Sequence, residues 1–112
     1  MSQNVATVRS STPATVQSAA NTASAITLTA VAGVSHHITS LDVTVDATVT
    51  NMAVTLTEAG TTKHAWRMTG TGALIKVCDS PLRFAPGKEI VLNVAAGGGT
   101  VVTVANLASF TQ

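Results

Sequence analysis

Little in this sequence is charged, aromatic or sulfur-bearing. Lys, Arg, Asp and Glu make up 10% of the 112 residues, against roughly 25% in an average globular chain. The six cations and five anions are scattered singly and leave a net charge of +1. Duplex nucleic acid calls for clustered Lys and Arg, so that partner is not expected. One Trp, two Phe and no Tyr leave little material for stacking on unpaired bases. A single cysteine, Cys78, excludes an internal disulfide, so a good core or a partner subunit must hold the fold. No uncharged apolar run approaches the roughly 20 residues that span a bilayer. The opening MSQNVATVRSS lacks the basic-then-apolar order of a signal peptide. These absences predict a soluble protein made in a cytoplasm, with neither membrane nor nucleic acid as partner.

What the chain has in abundance is Ala, Thr and Val, which supply nearly half of it. β-Branched side chains favour pleated sheets over helices. From Thr22 onward the apolar residues alternate: Ile26 and Leu28; Val43 and Val45; Met52, Val54 and Leu56; Ile90, Leu92 and Val94. Successive side chains of a strand face opposite ways, so each series builds one apolar and one polar face. Turn signals separate the runs at Ala32-Gly33, Ala59-Gly60-Thr61, Gly70-Thr71-Gly72, Ala85-Pro86-Gly87 and Gly97-Gly98-Gly99, at sandwich or barrel spacing. About eight strands are predicted, over 23–30, 34–45, 51–58, 62–68, 73–78, 80–84, 88–95 and 100–108. An all-β fold follows: an antiparallel β-sandwich, with jelly-roll connections as one arrangement, in a domain over residues 23–112. Ile38 and Leu41 are three apart and cannot share a face of an unbroken strand. Either a bulge lies near Thr39-Ser40 or Leu41 starts a new strand.

Residues 1–22 read differently. The run Ser10-Ser11-Thr12-Pro13-Ala14-Thr15 is small and polar and buries too little to fix itself. It is expected to be an extended N-terminal arm, either frayed or ordered by adding a strand to a neighbouring chain, with Val5, Val8, Arg9 and Val16 as the partner-binding residues.

Candidate chemistry is sparse. His36 and His37 are adjacent, so in a strand they diverge and cannot readily grip one metal; one is expected exposed and the other packed near the sandwich edge. Asp42 and Asp46 share a face about 13 Å apart, too far for a glycosidase pair. They are expected, with Asp79 and Glu89, to be solvated carboxylates that keep an edge soluble. Cys78 lacks a nucleophile's surroundings and reads as a half-buried structural thiol. Gly97-Gly98-Gly99 is no phosphate cradle, since no helix and no Lys-Ser/Thr follow it, and reads as a flexible hairpin tip. Trp66 shares a face with Met68 and reads as core, with a sugar-stacking platform as the alternative. No catalytic, cofactor or metal residues are predicted, and no enzyme.

Three segments carry a resemblance. Ala30–Leu41, Val54-Thr55-Leu56-Thr57-Glu58-Ala59-Gly60, and Ser80–Gly99 with its Pro81-Leu82-Arg83, Gly87-Lys88 and glycine run are together similar to small β-sandwich structural proteins of tailed-bacteriophage virions. Glu58 stands where that pattern has Asp, and Asn106-Leu107 replaces a more glycine-rich close. The resemblance implies a virion structural protein: a head decoration (cement) protein bridging capsid subunits, or a tail, fibre or receptor-binding component. It implies the major capsid protein or another virion protein as partner, a homo-oligomer with a trimer favoured, and a place on the virion head surface after synthesis in a host bacterial cytoplasm. A carbohydrate-binding module is the reading from another class; a single Trp gives it little support.

Overall fold

Alternation of Val, Ile, Leu and Met with Thr, Ala and Asn produces strands wherever one face can be buried. The computed structural model of the protein describes residues 12–112. Its regular elements are all strands: β1 (Thr12–Gln17), β2 (Ser24–Leu28), β3 (His36–Glu58), β4 (Thr61–Arg83), β5 (Ile90–Val94) and β6 (Thr103–Thr111). Every pairing is antiparallel. β3 is central and long enough to serve two layers. Its first half, to Val45, pairs with β6 on one side and the last part of β4 on the other. Its second half, from Met52, pairs with β5 and the first part of β4. β1 then flanks β6, and β2 flanks β5.

The result is two four-stranded layers, β1-β6-β3-β4 and β2-β5-β3-β4, joined through a shared corner. Taking β3 and β4 as two arms each gives eight strand segments, and their order is that of a jelly roll: a long sheet rolled over on itself. The inner faces cover one another. Leu41, Val43, Ala105 and Leu107 of the first layer and Val54, Leu56, Ile90, Leu92 and Val94 of the second are each at most 2% exposed, within one core. Each fully buried Leu or Ile contributes about 1.5–3 kcal/mol of transfer free energy.

Strands that turn a corner need residues able to depart from extended geometry. Each chain path through the corner has one: Asn21 (φ 49°), Asn51 (φ 51°), Gly70 and Gly72 (φ 98° and 119°), and Gly98 and Gly99 (φ 89° and 54°). β3 takes the longer way, running from Val45 to Met52 while β4 covers only Gly72 back to Met68. The extra length also shifts the core-facing positions from Val45 and Val49 to Met52, Val54 and Leu56, so both arms present apolar side chains inward. A similar shift occurs earlier. Ile38 and Ser40 pair with the consecutive residues Ser109 and Ala108 of β6, leaving Thr39 bulged, with its hydroxyl donating to the Ala108 carbonyl at 3.1 Å. Of the two readings of Ile38 and Leu41, the bulge is therefore the one observed.

Other expectations change. Gly70-Thr71-Gly72 is not a turn between strands but the corner of continuous β4, and the predicted strands 73–78 and 80–84 belong to that same strand. Between them, residues 78–81 of β4 loop out opposite Thr39, a wide bulge that accommodates Pro81. Gly97-Gly98-Gly99 is not a hairpin tip either. It carries the chain from β5 in one layer to β6 in the other, and a Cβ on Gly97 would lie 2.5 Å from Val101 Cγ1. Finally, part of the N-terminal stretch joins the sheet: β1 pairs with β6 from Thr12↔Ser109 to Gln17↔Val104.

Candidate functional site

Neither histidine is exposed. His36 and His37 are 6% and 8% exposed. The Nε2–H of His36 donates to the Thr29 carbonyl at 2.9 Å, tying the β2–β3 loop to the strand. His37 stacks on Phe110, its register partner in β6, with ring centroids 4.6 Å apart and planes within 10°. The expected exposed histidine is covered because an aromatic lies directly across the strand pair, which one sequence alone does not reveal.

Asp42 and Asp46 are bonded rather than merely solvated, and they lie on the central strand rather than on an edge. Asp42 Oδ1 accepts from Asn106 Nδ2 at 2.8 Å, and Thr15 Oγ1 donates to Asn106 Oδ1 at 2.6 Å, a polar ladder across β3, β6 and β1. Asp46 Oδ1 accepts the Val102 N–H at 2.9 Å and fixes the corner. Beside it, the Ser18 and Thr103 backbones bond, and Ser18 Oγ accepts the Thr103 N–H at 3.0 Å. Glu58 accepts the Ala85 N–H at 2.9 Å and stands 3.9 Å from Lys63. Cys78 is a partly buried free thiol. Trp66 is partly buried against the core beside His64. Among the described residues no three His, Cys, Asp or Glu side chains come together as a metal site.

Of the predicted partner-binding residues, Val5, Val8 and Arg9 lie outside the described residues. Val16 sits in β1 opposite Ala105 and packs against the core. Its side chain is engaged within its own domain.

What remains is surface. The outer face of the first layer presents Thr15, Asn106, Ser40, Asp42, Thr44, Ile75 and Val77; that of the second presents Ala25, Asn93, Thr55, Ala65 and Arg67. Charged side chains are few on both, among them Asp42 and Arg83 on the first, where Arg83 pairs with His37, and Arg67 on the second. The second face is dished by its small residues into an open depression of about 400 Å³, lined by Ala23, Ala25, Ala53, Thr55, Asn93 and Ala95 among others. Exposed large apolar side chains concentrate elsewhere, at Ile75 and Val77 of β4. Alternation did not single these out, because Leu74, Ile75 and Val77 make both faces of that segment apolar. A signal was available: Lys76 is in phase with core-facing Leu74, which marks the segment as the rim of the sheet.

Comparison of the sequence with protein-family models and with curated proteins finds no match.

Proposed function

We propose that this protein is a virion structural component, a head decoration protein that stabilises a tailed-phage capsid by bridging its subunits. The reading rests on the sequence resemblance to such proteins and is supported by one structural observation, the jelly-roll order of the two layers. That architecture recurs in viral capsid domains, though also in lectins and cupins, so the support is by analogy of fold. The charge-poor outer faces fit the role. A face built mainly of Thr, Ala, Ser and Asn is cheaper to desolvate against a neighbour than one studded with ions. Many such modest contacts, repeated over a lattice, add through effective concentration.

Gold-labelled antibody against the protein, applied to virus particles from its source, tests the reading. Label spread evenly over icosahedral heads is the expected result. Label confined to tails would move the function to adsorption, and unlabelled particles would remove the virion assignment altogether.

A further inference from the structure

Among the described residues β4 pairs with β3 alone, so its other side is an open edge along the whole strand. We propose that the part of this edge from Ala73 to Val77 is a docking site for an extended, acidic segment of another protein, which adds to the first layer as a fifth strand.

The backbone supplies the first argument. An open edge offers alternating N–H donors and C=O acceptors, and only another peptide strand satisfies both; a polyanion meets the donors alone. Side chains supply the second. Ile75 and Val77 stand 64% and 74% exposed, two residues apart on the outer face, where a neighbouring strand would cover them. Charge supplies the third and selects the partner. Between the glycine corner and the bulge the one charged residue is Lys76, so this stretch of edge carries a net positive charge with no carboxylate to balance it. Lys76 lies between the two exposed apolar residues and faces the other way, since it pairs with core-facing Leu41. A complementary strand therefore alternates, with apolar residues beside Ile75 and Val77 and Asp or Glu beside Lys76. A second copy of this chain fits poorly, because the antiparallel register that sets Ile75 of one copy opposite Val77 of the other also sets Lys76 opposite Lys76.

The limits of the site are structural. Gly70 and Gly72 turn the strand at one end, and the bulge of residues 78–81, with Pro81 lacking an N–H, interrupts the ladder at the other. The inference stands apart from the virion assignment, since it rests on the β4 edge alone.

The test uses the full chain, labelled with ¹⁵N and titrated with a synthetic peptide of about nine residues alternating valine with glutamate. The same peptide with lysine for glutamate is the control, and a glutamate peptide interrupted by prolines is a second. The expected result is saturable amide shifts centred on residues 73–77 with the glutamate peptide and not with the others. Lys76→Glu should weaken that binding about fivefold and turn the preference toward the lysine peptide. Ile75→Thr with Val77→Thr alters exposed positions, so amide shifts elsewhere should be unchanged while binding falls about fivefold. The proposal is overturned if the glutamate peptide produces no shifts, or if all three peptides bind alike. It is equally overturned if oligothymidylate produces these shifts and the peptide does not, or if the protein alone dimerises through this edge and the double threonine variant abolishes the dimer.

Discussion

The edge formed by β1 and β2 carries no charged side chain from Thr12 to Leu28, whereas the edge formed by β4 carries five from Thr61 to Arg83. Unpaired strand edges invite association, and proteins protect them by shortness, proline, bulges or charge. The neutral edge is broken into strands of six and five residues, with Pro13 near its start. The β4 edge runs for 23 residues, so shortness is not available to it. Its protection comes from lysines and arginines, a glycine corner and a wide bulge with a proline. One sheet thus carries two open edges of different construction, and of the two only the charged edge exposes large apolar side chains, Ile75 and Val77.

The edges also differ in how much core they cover, which gives the largest expected effect. Leu107 of β6, flanked by β1, is 2% exposed, while Leu74 on β4 is only partly buried. Leu107→Ala should cost about 2–5 kcal/mol, as buried leucine deletions do. Leu74→Ala should cost about 1 kcal/mol, since less apolar area leaves water there on folding. Equal midpoint shifts in urea would mean that β4 shields the core as fully as β1 does.

Next in size is the removal of charge. Replacing Lys63, Arg67 and Lys76 together by Thr makes the first and middle parts of β4 resemble the neutral edge without its shortness. Sedimentation velocity should then show concentration-dependent association at least about tenfold tighter than in the parent, through edge pairing. A variant that stays as dispersed as the parent would show that the bulge and the glycine corner suffice.

The smallest effect lies where the neutral edge meets the corner. Thr103 is fully buried; its N–H bonds Ser18 Oγ, but its own hydroxyl has no hydrogen-bond partner among the described residues. Thr103→Val keeps the shape and removes a buried polar group, so stability should rise by about 1 kcal/mol in urea unfolding. A loss of stability would mean that the hydroxyl is bonded in solution.

Much of the fold was legible in the residues. The period-two runs around Ile26, Val43, Val54 and Leu92 are strands, and each puts the expected face inward. β1 was not legible as a strand of this domain, because Ala14 and Val16 offer little apolar area and gain their place from β6. The continuity of β3 and β4 was hidden for another reason. Glycine and asparagine at positive φ serve a corner and a turn alike, and only the partner strands distinguish the two. The docking edge was obscured because exposure at Ile75 and Val77 depends on which strand lies outermost.

That this protein is built of strands with one apolar face each follows from its residues alone, since side-chain alternation is a local property of an extended chain. Tertiary structure decided which strands run on through a corner, which histidines are covered and which edge stays open, because each depends on residues far apart in the chain meeting across a hydrogen-bonded ladder.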